Sequence, residues 1–182
     1  MIRSAQGSEP FHDLLRTVDD LLASGAADTS GGTDYRDVLA DLLGFLAGEM
    51  TRLNEERQRE VDRFLDWLES QIGTPVAQLT GKTAVQEYYR TGYDAEKLIV
   101  TLTANRSKVR IDLSVPKRYG ATNPARARIA EGYERSMSIL RPLRQRLELT
   151  DRLIDQLVYR LYGLTLHQVD LVERTVPVRD HG

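Results

Sequence analysis

The feature that most narrows what this chain can fold into is a stripe of apolar residues that keeps helical step over almost forty positions. Leu39, Leu42, Leu43, Leu46, Met50 and Leu53 recur at the three- and four-residue spacing of a helix with one buried face. Val61, Phe64, Leu65, Leu68 and Ile72 carry the same face onward after a polar waist, NEERQRE. Asp34 can cap its start, and Gly73-Thr74-Pro75 stops it, because proline lacks an N–H and disfavours helix in the residue before it. A continuous helix over 35–72 would span roughly 57 Å. Arg57 falls four residues from both Leu53 and Val61, so its aliphatic stem can lie along the stripe while the guanidinium stays wet. Trp67 reads as packing.

A second helical signal lies at Leu149–Glu173. Leu153, Ile154, Leu157, Val158 and Leu161 form its stripe, Thr150 or Asp151 is a candidate start, and Gly163 is placed for a left-handed C-terminal cap. Thr165-Leu166-His167-Gln168 has the form of a capping box and opens a short helix that should carry Leu166, Val169 and Val172 toward the preceding one. At the other end, Phe11, Leu14, Leu15, Val18, Leu21 and Leu22 make an amphipathic helix ending near Ser24-Gly25. Residues 1–9 read as loose. GAADTSGGTD at 25–34 reads as a flexible linker, so the first helix is expected to be tethered rather than built in.

In the middle, Thr83 opens a short helix with Val85, Tyr88 and Tyr89, and Asp94 caps another with Leu98, Ile99 and Leu102. LTGKT at 79–83 reads as a turn and helix cap. A phosphate loop needs a glycine where Val76 stands. KVRIDLSVP alternates Val109, Ile111, Leu113 and Val115 against Arg110, Asp112 and Ser114, the period of a strand, but few other segments could pair with it. Asn123-Pro124 starts a helix carrying Ile129, Tyr133, Met137, Leu140 and Leu147, and Pro142 predicts a kink or break near 138–142. The tail TVPVRDHG should fray. The expected fold is all-α, a helical bundle with one long spine helix and a short extended segment near 109–115. The expected divisions are 1–34 (helix and linker), 35–174 (helical domain) and 175–182 (tail).

The stretch TDRLIDQLVYRLYGLT, followed by VDLVE, resembles the end of the large N6-adenine DNA methyltransferases of type II restriction-modification systems. LGFLAGEMTRLNEERQREVDRFLDWLESQIG and LTGKTAVQEYY resemble the segments that precede that ending, in the same order, so the likeness runs from about Val38 to Glu173. It departs from the pattern after Thr165, where the family usually has acidic residues and this chain has Leu166 and His167. The resemblance implies a helical part that lies beside a catalytic and target-recognition part and steadies DNA against it.

The chemistry itself is not written in these residues. A methyltransferase needs a glycine-rich loop for S-adenosylmethionine and an Asn/Asp-Pro-Pro-Tyr/Phe motif for the flipped base. Asn123-Pro124 is followed by Ala125 and Arg126 instead. No magnesium-nuclease pattern or serine nucleophile elbow stands out, and His12, His167 and His181 have no ligand spacing. Carboxylates such as Glu55, Glu56, Asp62 and Asp66 read as solvated. No cofactor is expected in this chain, S-adenosylmethionine being expected only in a catalytic partner.

Charge gives the one positive functional signal. The formal total is −2, but residues 1–81 carry 7 Lys and Arg against 15 Asp and Glu, residues 82–128 carry 10 against 4, and residues 129–182 carry 8 of each. A basic middle attracts phosphate, or it pairs with the acidic first third of the same chain. Lys108, Arg110, Lys117, Arg118, Arg126 and Arg128, with Tyr119 among them, are the candidate DNA contacts. The expected partners are DNA and a methyltransferase or restriction subunit; the other reading is a protein-interaction scaffold or truncated relic with no direct DNA contact. With no cysteine, no signal-peptide pattern and no apolar run of membrane length, the cytoplasm is the expected compartment and no membrane partner is expected.

Overall fold

A computed structural model of the chain describes residues 11–25, 35–114 and 123–175. The element order is α1 (His12–Gly25), α2 (Tyr35–Ile72), a single 3-10 turn (Val76–Gln78), α3 (Lys82–Gln86), α4 (Ala95–Ala104), α5 (Pro124–Leu161) and α6 (Leu166–Thr175). The fold is all-α, and no strand occurs among the described residues. The expected spine is α2, at 38 residues; α5 matches it at 38. The residues read as loose start, linker and fraying tail fall wholly or mostly outside the described residues.

The described residues divide into a terminal unit, those up to 52 and from 147 onward, and a central unit, those from 53 to 146. In the terminal unit the apolar stripes of three helices meet. Leu15 and Val18 of α1, Leu39 and Leu46 of α2, and Leu153 and Leu157 of α5 form one buried cluster. The first helix, read from the sequence as tethered, is therefore part of a core. Burying a leucine or valine side chain contributes about 1.5–3 kcal/mol, enough for two such residues to hold a short helix in place. Arg160 Nε adds a 2.9 Å ion pair to Asp19.

The C-terminal signals of this unit form as the sequence reads. Gly163 adopts φ +62°, the left-handed region that glycine enters without a Cβ penalty. Leu164 N–H reaches Tyr159 O at 2.9 Å and Gly163 N–H reaches Arg160 O at 3.0 Å, the paired bonds of a Schellman cap. The capping box closes in both directions: Thr165 N–H donates to Gln168 Oε1 at 2.8 Å, and Gln168 N–H donates to Thr165 Oγ1 at 3.3 Å. Of the three residues expected to close on the preceding helix, Val169 and Val172 are half-buried but Leu166 is exposed, and none of the residues of α6 is fully buried.

The central unit is organised around aromatic rings that come from distant parts of the chain. Phe64 lies 4.3 Å from Tyr88, centroid to centroid, and Tyr88 lies 5.9 Å from Tyr133. Polar ends of these rings are satisfied inside: Tyr88 shares a 2.6 Å hydrogen bond with Ser136, and Tyr133 Oη donates to Tyr93 O at 2.9 Å. The Trp67 indole packs on Gly132 of α5 and 5.6 Å from Phe64, as its packing role predicts. Arg57 extends over the Tyr89 ring, 5.8 Å from its centroid.

Irregular backbone is held by side chains. Asn105 accepts from Thr80 N–H at 2.8 Å and donates to Thr80 O at 2.9 Å and Thr101 O at 2.8 Å. This fixes the turn before Gly81, which is the N-cap of α3, so LTGKT is a turn and cap as read. Asp94 caps α4 through Lys97 N–H at 2.7 Å, and Asn123 caps α5 through Ala125 N–H at 2.8 Å. The segment over 109–114 keeps its alternation, Val109 and Leu113 buried and Arg110, Asp112 and Ser114 exposed, without a strand partner. It is an extended arm, joined to α2 by Arg110 N–H to Ile72 O at 2.7 Å and to Asn123 through Asp112 O at 2.9 Å.

Two further expectations are corrected. The short helix expected to carry Tyr88 and Tyr89 ends at Gln86, and both rings stand in the turn that follows it. Neither a break at 138–142 nor a new start at Thr150 or Asp151 occurs, because α5 is helical throughout. Pro142 is exposed, so the Ser138 carbonyl that loses its donor faces no dry core, and the helix continues at a cost the surrounding packing offsets.

Candidate nucleic-acid interface

The described basic candidates gather near the end of α2, though from different parts of the chain. Arg110 lays its aliphatic stem across Gly73, and its guanidinium makes no hydrogen bond or ion pair with described residues. Arg128, from the first turns of α5, reaches Gln71 Oε1 at 3.5 Å, the limit of a hydrogen bond. Lys108 is joined to the same region, its carbonyl accepting from Thr74 Oγ1 and its Nζ donating to Gln78 O at 2.8 Å and to Thr80 Oγ1 at 3.3 Å. Arg126 differs. Its Nη2 forms a 2.8 Å ion pair with Glu96 and its Nη1 donates to Leu113 O at 3.3 Å, so it braces the extended arm against α4. Lys117 and Arg118 lie outside the described residues. The structure thus brings three candidates to one region and gives the fourth an internal partner.

A second feature of the central unit was not foreseen. Residues of the NEERQRE waist on α2 face the stretch around Pro142 on α5 across a groove of about 430 Å³, lined by Glu56, Arg59, Glu60, Arg63, Ile139, Pro142, Leu143 and Arg146. Glu60 is only 4% exposed, and its Oε2 accepts no hydrogen bond. Arg63 Nη2 lies 3.1 Å from that oxygen, near enough for charge attraction but not directed as a hydrogen bond. The sequence did hold a signal: Glu60 stands seven residues after Leu53 and four before Phe64, on the apolar stripe itself.

Elsewhere the shifted titratable groups are three phenols and one exposed carboxylate. Burial pushes the Tyr88 phenol well above its ordinary range, against the opposing hydrogen bond from Ser136. Burial, followed by the nearby Glu134 charge, pushes Tyr133 up to about 12. Tyr93 is raised by burial too. These phenols stay neutral at ordinary pH, and those of Tyr88 and Tyr133 serve as hydrogen-bond partners rather than bases. Asp112, fully exposed, is held below the usual carboxylate range by the backbone N–H of Ser114. No group of three potential metal ligands occurs among the described residues, and no described helix is long and apolar enough to cross a membrane.

Comparison with protein-family models, with curated proteins and with solved structures finds no match to this chain. The likeness to adenine methyltransferases rests on the quoted sequence stretches alone.

Proposed function

We propose that the chain is a non-catalytic helical module that lies against a nucleic-acid backbone and supports a separate DNA-modifying partner of the adenine-methyltransferase class it resembles. The observation that supports this most is the gathering of Lys108, Arg110 and Arg128 around residues 71–80, with the Arg110 guanidinium uncommitted among described residues. Arg110 and Arg128 supply the charge, Lys108 holds the region in register, and Lys117 and Arg118 extend the basic stretch in sequence. Such contacts read phosphate rather than base identity, so affinity should fall steeply with salt and little with sequence.

Duplex DNA binding across a salt series is the test. Each lost phosphate contact lowers the log–log salt slope by about 0.9, so Arg110→Ala with Arg128→Ala should flatten it by about 1.8. No binding at low salt, or an unchanged slope in the double variant, refutes the reading.

A second reading, docking on a partner protein, is favoured by α6, where Leu166 is 91% exposed and Leu171 is 57% exposed. Co-purification with a methyltransferase or nuclease subunit, lost on Leu166→Glu while DNA binding persists, would support it in place of direct DNA contact.

A further inference from the structure

The groove in the central unit combines features that no plain anion site or apolar cleft combines. Its volume, about 430 Å³, lies within the roughly 300–1,000 Å³ of small-ligand sites. One wall is apolar, formed by Ile139, Pro142 and Leu143, with the Pro142 ring exposed. The other carries two carboxylates, Glu56 and Glu60, of which Glu60 is buried, ionisable and without a hydrogen bond at Oε2. A carboxylate oxygen in that condition is costly unless donors arrive, because it has given up water and received in exchange only the undirected charge of Arg63 at 3.1 Å. The Arg63 side chain that pairs with it is 69% exposed, so a ligand donor reaching Glu60 would have to displace only a surface arginine. Arg59, Arg63 and Arg146 bring positive charge to the same opening. Pro142 adds one more acceptor, since it has no N–H to offer the Ser138 carbonyl.

These elements constrain the ligand from two sides. A simple anion would satisfy the arginines and be repelled by Glu60. A lysine or arginine side chain of a peptide would satisfy Glu60 and be repelled by three guanidiniums. What fits is a flat group with adjacent donors joined to a negative charge. Among the nucleobases, guanine alone presents N1–H and N2–H₂ side by side, which match the two oxygens of one carboxylate. Adenine turns its N1 acceptor, and cytosine its N3 acceptor, toward that position; uracil and thymine flank their single donor with carbonyls.

We infer that this groove binds an unpaired guanine nucleotide, with Glu60 receiving the N1–H and N2–H₂ edge, Pro142 and Ile139 covering the base, and Arg59, Arg63 and Arg146 holding the phosphate. None of these residues belongs to the basic cluster at the end of α2, so the inference stands apart from the backbone-contact reading and can survive its failure.

Titration calorimetry of the full chain with guanosine monophosphate, inosine monophosphate, adenosine monophosphate and guanosine tests it. Guanosine monophosphate should bind saturably. The inosine form, which lacks the 2-amino group, should bind about tenfold or more weakly, the adenosine form weaker still, and guanosine should lose the salt dependence. Glu60→Gln should abolish the guanine preference. Arg59→Ala with Arg146→Ala should weaken guanosine monophosphate and leave guanosine unchanged. Should Glu60→Gln fail to fold, the nucleotide series on the unaltered protein decides the question by itself. A short oligothymidylate with one central guanine distinguishes the sources: tighter binding than the mononucleotide assigns the site to single strands, and equal binding assigns it to the free nucleotide. Equal affinity for the guanine and adenine nucleotides, absence of binding at millimolar concentration, or preferential binding of an arginine-rich peptide overturns the inference.

Discussion

Gly132→Ala should destabilise the central unit, although alanine is the better helix former. A Cβ at residue 132 would fall 2.8 Å from Trp67 Cζ2 and closer still to Cη2 and Cζ3, inside the indole. On an unobstructed helix the exchange would gain about 0.5–1 kcal/mol of backbone propensity. Forcing the indole aside, away from Phe64 at 5.6 Å, costs about 1–3 kcal/mol by analogy with overpacked cores. The net expectation is a loss of about 1–2 kcal/mol, or roughly 2–8 °C in Tm for a chain of this size. Trp67 is the only tryptophan, so its emission should also shift as the ring leaves its seat. Urea unfolding followed by circular dichroism measures the loss, and repeating it in a Trp67→Ala background isolates the cause. There Gly132→Ala should turn stabilising by about 0.5–1 kcal/mol, a coupling of about 2 kcal/mol between the two positions. If Gly132→Ala stabilises the unaltered protein, or costs the same with and without the indole, the close approach does not govern this helix contact.

Three further outcomes follow from the same packing. Tyr88→Phe removes the 2.6 Å bond to Ser136 and strands a buried hydroxyl, so it should cost about 1–3 kcal/mol in chemical denaturation, while adding Ser136→Ala should recover part of the loss. Thr165→Ala opens the capping box, worth about 1 kcal/mol, and should speed amide exchange in the first turn of α6 while leaving the central unit unchanged. Tyr133 moves from an ordinary 10 up to about 12 on folding and Tyr88 moves in the same direction, so their contribution is complete below pH 10 and is lost as pH climbs toward 12. Alkaline titration by ultraviolet absorbance should show Tyr88, Tyr133 and Tyr93, three of the eight tyrosines, ionising later than the exposed ones, and simple titration of all eight near 10 would refute the burial.

Local signals in the sequence were sufficient wherever cause and effect lie within a few residues. The stripe from Leu39 to Ile72, the left-handed Gly163 and the Thr165–Gln168 box are each complete in a short window, and each forms. What escaped the sequence depends on partners far along the chain. Phe64, Tyr88 and Tyr133 read as separate stripe members, yet they form one aromatic centre. Arg126 reads as a loop cation, whereas Glu96, thirty residues earlier, claims it. Pro142 reads as a breaker because its lost bond is local, but whether the helix stops depends on the side it faces, which only packing decides. Glu55 and Glu56 in the polar waist read as solvated, whereas Glu60, in the same waist, is buried. The all-α class was therefore legible, while the groove was visible only as one misplaced glutamate.

Asn105 works as a ladder rung without a second rail: one carboxamide gives Thr80 the donor and acceptor that a neighbouring strand would otherwise provide. Its nearest look-alike is consequently the wrong replacement. Aspartate would set a second oxygen against the carbonyls of Thr80 and Thr101, whereas alanine would only leave them unmet. At this spot shape and tolerance part company, and slow hydrolysis of a single amide during storage would loosen the 79–81 turn from within.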